Sequence, residues 1–143
     1  MYSTVLVPLD GSKRAEQILP HVEELARHYE ARIVLFRAVE PPTMVSEGAA
    51  MQYEQNMAQL NTEAETYLSG LAGEFREKKM QAKSRVGHGQ VVEAILNAAE
   101  SEGADLIAIA SHGRSGLSRV FYGSVAAGLL HRVDRPLLLI RAA

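Results

Sequence analysis

Cysteine and tryptophan are absent from the 143 residues, and aromatic side chains make up only 6% of them. Without cysteine there is no disulfide framework, thiolate zinc site, redox pair or thiol nucleophile, and the residues suit a reducing cytosol. Long apolar runs are also missing. Met1-Tyr2-Ser3-Thr4 leads straight into a strand pattern with no basic or apolar leader. These features predict a cytoplasmic protein with no membrane association. A net charge of either sign is nearly absent: 15 Lys and Arg against 17 Asp and Glu leave a formal −2, which argues against a nucleic-acid partner. What charge there is lies unevenly. Residues 106–143 hold five arginines and only Asp134, so the last quarter either favours a small anion or decorates a surface with arginine.

What remains is a chain 47% hydrophobic, of a length that suits one domain spanning residues 1–143 and buries about two-thirds of its surface on folding. Tyr2 to Leu9 and Arg32 to Val39 are rich in Val, Ile, Leu and Phe, as expected of strands covered on both faces. Between them Ala15, Ile18, Leu19, Val22, Leu25, Ala26 and Tyr29 form one apolar stripe at helical spacing, with Ser12 as N-cap. Glu40 to Ala50, with two prolines, reads as a mobile loop able to close over a ligand. A long helix follows from near Met51 to Phe75, then a polar edge strand over 80–86 and a helix from Gln90 to Glu102. Asp105 to Ala110 reads as a buried strand, Ser124 to Val133 as a short helix and Leu137 to Ile140 as a final strand. Five strands alternating with four helices predict an α/β sandwich: a five-stranded parallel sheet with helices on both faces.

In such sheets ligands bind beyond the carboxyl ends of the strands, where the strand order reverses. Polar and glycine residues gather on that rim. Asp10 follows the first strand, Gly87-His88-Gly89 the third, and Ala110-Ser111-His112-Gly113-Arg114 the fourth, continuing through a glycine-bearing segment to Gly123-Ser124-Val125. A strand, glycine loop and helix start suit phosphate, because bare backbone N–H groups and a helix N-terminus face the oxygens. The plainer reading makes Gly113 and Gly116 turn residues and Ser124 an ordinary cap. Arg114 and Arg119 either add charge or point into water. Asp10 either takes two ribose hydroxyls or closes an Asx-type turn across Gly11-Ser12. The coincidence of Asp10 and the glycine loop on one rim favours a nucleotide.

Over nearly its whole length the chain resembles the nucleotide-binding branch of the universal stress protein family. The pattern Gly-x2-Gly-x9-Gly-[Ser/Thr] is matched by Gly113, nine residues and Gly123-Ser124, while Ala110 stands at the first glycine. The resemblance implies a Rossmann-like, adenine nucleotide alpha hydrolase-like fold that binds ATP or AMP, with Mg2+ reached through the phosphates. It implies that Asp10 contacts ribose, that the Ala38 main chain reads the adenine edge, and that Pro8, Leu9 and Val39 line that pocket. Ser111, His112, Gly113, Arg114, Gly123, Ser124 and Val125 would surround the phosphates, with Gly87 close by. It further implies a homodimer joined through Leu137 to Ile140 and a role in stress response. The methyl of Ala110 is expected to shift affinity rather than abolish binding.

Other signatures fail. Gly87-His88-Gly89 lacks the third glycine of a dinucleotide fingerprint, no Gly precedes a Lys as in a Walker A loop, and no Gly-x-Ser-x-Gly elbow exists. The five histidines are scattered, with His21 and His28 seven apart, a poor spacing for one metal ion. His112 alone belongs at the pocket, where it shapes the turn, bonds a phosphate or does neither. With no carboxylate pair beyond Asp10 and no water-activating residue, binding is the expected function and any ATP hydrolysis slow. A ligand-free interaction module and a nucleotide-using enzyme remain the alternatives.

Overall fold

The computed structural model describes residues 1–41, 50–111 and 123–143. In chain order it comprises β1 (Thr4–Pro8), a 3-10 turn (Ala15–Ile18), α1 (Leu19–Tyr29), β2 (Arg32–Val39), α2 (Ala50–Glu77), β3 (Ala82–His88), α3 (Val91–Glu102), β4 (Leu106–Ser111), α4 (Ser124–Arg132) and β5 (Leu137–Arg141). The strands form one sheet in the order β3-β2-β1-β4-β5, and every neighbouring pair is parallel. The expected architecture is therefore present. Most of the expected 40–50 loop lies outside the described residues.

Strand periodicity divides the interior into two cores. Val5, Val7, Ile33, Leu35, Leu106 and Ala108 face α1 and α2, meeting Val22, Leu68, Ala72 and Phe75. Leu6, Val34, Phe36, Ile107 and Ile109 face α3 and α4, meeting Val92, Ile95, Ala99 and Leu129. The central strands are apolar at successive positions because both of their faces are covered. Each fully buried Leu, Ile or Phe contributes about 1.5–3 kcal/mol before conformational entropy is counted. β3 and β5 lie at the edges and are only partly buried, which accounts for the more polar sequence of β3.

The first helix departs from the expectation of one continuous segment capped by Ser12. Its opening turn is 3-10, and the α-helix proper starts at Leu19 with Pro20 in its first turn. Proline has no N–H to donate and is tolerated only there, so Pro20 fixes where the α-helix begins. Ser12 still caps the opening turn, its Oγ accepting from Ala15 N at 3.1 Å.

Two carboxylates tie down the amino rim of the sheet. Asp105 accepts from Ser3 N, Thr4 N and Ser3 Oγ at 2.9–3.1 Å, joining the starts of β1 and β4. Glu102, at the end of α3, meets Arg32, Lys83 and Arg85 at 3.4, 3.0 and 2.9 Å. Burial opposes ionisation of both groups. It is outweighed by the two backbone N–H donors and the hydroxyl at Asp105, and by Arg85 and Lys83 at Glu102, so both carboxyls lie below their ordinary range. Their stabilising contribution is complete above the unfolded values near pH 4 and disappears as pH falls through the lower folded values. In urea titrations from pH 7 to pH 2, the Glu102→Gln/Asp105→Asn variant should start less stable and lose less stability with acid than the parent. Parallel curves would contradict these roles.

Candidate functional site

The chain runs outward from β1 to β2 and β3, then crosses back to β4 and β5, so neighbouring connections diverge between β1 and β4. A cleft of about 140 Å³ opens at the carboxyl ends of those two strands, the position where doubly wound sheets bind ligands. Its inner wall is apolar: Phe36 and Ala38 from β2, Val91 and Ile95 from α3, Ile109 and Ala110 from β4, and Val125 and Ala126 from α4. Pro8, Leu9, Asp10, Arg14, Ala15 and Ser111 complete the described lining. Asp10 and Arg14 are the charged groups among them. The volume admits a flat heterocycle but falls short of the roughly 300–1,000 Å³ of drug-sized pockets. A larger ligand must place its remaining, polar part at the rim.

The rim beside β1 is built by a short, heavily bonded turn. Asp10 Oδ1 accepts from Ser12 N at 2.9 Å, so the Asx-type turn considered for Asp10 is present. Gly11 has φ of +88°, and a Cβ there would lie 3.1 Å from Arg37 Nη1. The Arg37 guanidinium also covers the Tyr67 ring at 5.7 Å from its centroid. Tyr67 in turn donates its hydroxyl to Glu16 Oε2 at 2.7 Å. Burial, followed by the Glu16 acceptor and the Glu16 and Asp10 charges, pushes the Tyr67 phenol up despite Arg37. The phenol therefore stays protonated near neutral pH, and α2 remains tethered to the 3-10 turn that follows Asp10.

Across the cleft, α4 begins after Gly123, whose φ of +81° occupies the N-cap without a side-chain bond. This sets aside the plainer reading of Ser124 as an ordinary cap: Ser124 is the first helical residue and is exposed. Gly123 has no side chain to cap this end, and a helix N-terminus presents first-turn N–H groups of a kind that suits an anion. Val125 and Ala126, one and two residues further on, form part of the cleft wall.

Of the residues singled out in the sequence, Pro8, Leu9, Asp10, Ala38, Ala110, Ser111 and Val125 come together around the cleft. Gly123 and Ser124 stand beside them at the start of α4 without joining the described lining. Val39 is buried, and its carbonyl accepts from Gly89 N at 3.2 Å, bracing β2 against the end of β3. Gly87 lies behind the wall: a Cβ there would fall 2.6 Å from Phe36 Cζ. It serves the pocket by making room for the Phe36 ring. His112, Gly113, Arg114, Gly116 and Arg119 lie outside the described residues.

Sequence reasoning missed Arg14, Ala15, Phe36, Val91, Ile95, Ile109 and Ala126. Some signals were available. Phe36 and Ile109 lie two residues before Ala38 and Ser111, which puts each pair on one strand face. Ile95 lies one helical turn after Val91. Arg14 had no such marker.

Comparison with known proteins supplies the lineage. The model of the universal stress protein family matches residues 1–141. The universal stress protein MJ0577 of Methanocaldococcus jannaschii is 23% identical over 155 residues, covering 99% of this chain and 96% of its own length. The solved structure of MJ0577 superposes with a TM-score of 0.84, covering 100% and 98% of the two chains at 24% identity. A universal stress protein solved in complex with cAMP has a TM-score of 0.67 at 23% identity, covering 99% and 98%. One from Archaeoglobus fulgidus in complex with dAMP has 0.65 at 17%, covering 97% and 98%. Those likenesses establish a shared fold, and with the family match running almost from end to end, this chain belongs to the universal stress protein family.

Proposed function

We propose that the cleft between β1 and β4 binds an adenine nucleotide, ATP or AMP, and that the protein acts as a nucleotide-dependent binding or signalling module in stress response. The observation that carries this reading is the pairing of an apolar inner slot with the Asp10 carboxylate at its mouth. In this reading the base enters against Phe36, Ile95 and Ile109, and the Ala38 main chain at the end of β2 meets its edge. Asp10 accepts from the ribose hydroxyls, and the phosphates extend toward Ser111 and the N-terminus of α4. His112, Gly113, Arg114 and Ser124 would complete the phosphate end. Relatives of the same fold solved with cAMP and dAMP support the ligand class.

Among the described residues no group of three or more His, Asp or Glu is placed to hold a metal ion. An accompanying Mg2+ would be carried through the phosphates, as Mg2+ often is. No catalytic residue is assigned, and binding is the proposed activity. Among the described residues no helix is long and apolar enough to cross a membrane.

Isothermal titration with ATP and with AMP tests the reading, and the expected result is saturable binding of one nucleotide per chain. Absence of heat with both would favour the alternative of a ligand-free interaction module, which the Ala110 methyl in the cleft wall motivates. The homodimer belongs to the same proposal. Leu137 to Ile140 of β5 are half-buried and lie at an open sheet edge, so pairing with a second copy would cover them. Leu138→Lys should then sediment as a monomer at concentrations where the parent is a dimer. Identical profiles would move the seam elsewhere.

A further inference from the structure

We propose that Gly128 is a positioning residue for the cleft between β1 and β4: it lets α4 settle against α3 at a distance that only a bare backbone permits, and so fixes the gap between the two helical walls. The inference rests on the nucleotide reading above. Gly128 is the fifth of the nine residues of α4, a helix interior where alanine is the better helix former, so local structure gives no reason for a glycine. Its surroundings do. A Cβ at Gly128 would fall 2.7 Å from Val92 Cγ2, 3.5 Å from Cγ1 and 3.6 Å from Cβ of the same residue. The two glycines inside α2 are different, because a Cβ at Gly70 or Gly73 would meet nothing within 4 Å.

Val92 has little freedom to yield. It is β-branched, which stiffens its χ1 in a helix, and it is 5% exposed within the core that also holds Ile95 and Leu129. A methyl group at position 128 must therefore move one helix relative to the other. Both helices supply walls of the cleft, α3 through Val91 and Ile95 and α4 through Val125 and Ala126. Val91 adjoins Val92 in the chain, and Ala126 precedes Gly128 by two residues, so this one contact is tied to both walls. The slot they bound has a volume of about 140 Å³, and a flat ring gains there by touching its walls closely. Contact attraction falls steeply with separation, and a gap of roughly 0.5–1 Å already forfeits a quarter to a half of it.

The test is a double-mutant cycle on the parent, Gly128→Ala, Val92→Ala and the pair, read by calorimetric AMP affinity and by melting temperature. The expected result is AMP affinity lower by roughly tenfold in Gly128→Ala, the order that overpacking strain sets when converted to binding, and within about threefold of Val92→Ala in the pair, where the colliding methyls are gone. In the Val92→Ala background Gly128→Ala should also raise the melting temperature through its helix propensity. If Gly128→Ala alone does not fold, the pair still decides: it must fold and bind AMP like Val92→Ala, and a pair that does not overturns the proposal. AMP affinity in Gly128→Ala equal to the parent's, or the same loss in both backgrounds, would overturn the positioning role and leave the nucleotide site standing. A parent protein that binds no AMP would overturn the site itself, and this inference with it.

Discussion

Replacing Asp10 with alanine should weaken AMP binding about 100-fold. Two hydrogen bonds from ribose hydroxyls to a carboxylate are each worth about 1.5–3 kcal/mol, and the exposure of Asp10 puts the expected loss at the low end of their sum. The same substitution removes the acceptor for Ser12 N, at a cost of about 1 kcal/mol in stability. Asp10→Asn separates these effects. Its side-chain oxygen can still accept from Ser12 N, but its amide nitrogen is a donor where the sugar also presents donors. It should fold with parental stability and bind AMP nearly as poorly as the alanine variant. The sugar supplies a second handle: the parent should bind AMP more tightly than dAMP, and Asp10→Ala should erase the difference, a coupling read by a double-mutant cycle across protein and ligand. Unchanged discrimination in Asp10→Ala would remove Asp10 from the sugar site.

The other large effect is expected at a residue outside the described lining of the cleft. Gly87, paired with Ala38 across β2 and β3, leaves no room for a methyl group: a Cβ would sit 2.6 Å from Phe36 Cζ and 2.8 Å from Cε1. The Phe36 ring is 1% exposed and packed among Leu6, Val34, Val92 and Ile95, so it yields only by straining that core or advancing into the cleft it lines. Overpacking of this kind costs about 1–3 kcal/mol. Gly87→Ala should therefore melt several degrees lower and bind AMP about tenfold more weakly. Adding Phe36→Leu to Gly87→Ala should restore part of the stability by removing the colliding ring atoms. A Gly87→Ala variant as stable as the parent, with full affinity, would contradict the close contact.

Fold and site were not equally legible in the sequence. Buried parallel strands announce themselves as apolar runs, and β1, β2 and β4 stood out because both faces of Leu6, Val34 and Ile107 and their neighbours are covered. The polar edge position of β3 followed from its alternation. The split of the first helix was harder to see, since the stripe from Ala15 to Tyr29 is continuous and only Pro20 marks the change from 3-10 to α geometry.

At the site, groups carried at strand ends were legible because topology alone brings strand ends together, as at Pro8, Asp10, Ala110 and Ser111. Residues that reach the cleft from a helix face, such as Ile95, or from a turn, such as Arg14, depend on local geometry that residue spacing does not reveal. Gly87 shows the same limit in another form. Its position marked it as near the ligand, but its use is the space it leaves for a ring on the neighbouring strand.

An amide NMR titration with AMP is the direct test of the adenine-nucleotide site proposed for the β1/β4 cleft. Saturable shifts are expected at Asp10, Ala38, Ala110, Ser111 and Val125, with the separate groove beside α1 that His21, His28 and Leu138 line undisturbed. Shifts gathered around His21, His28 and Leu138 instead, or none at millimolar AMP, would contradict it.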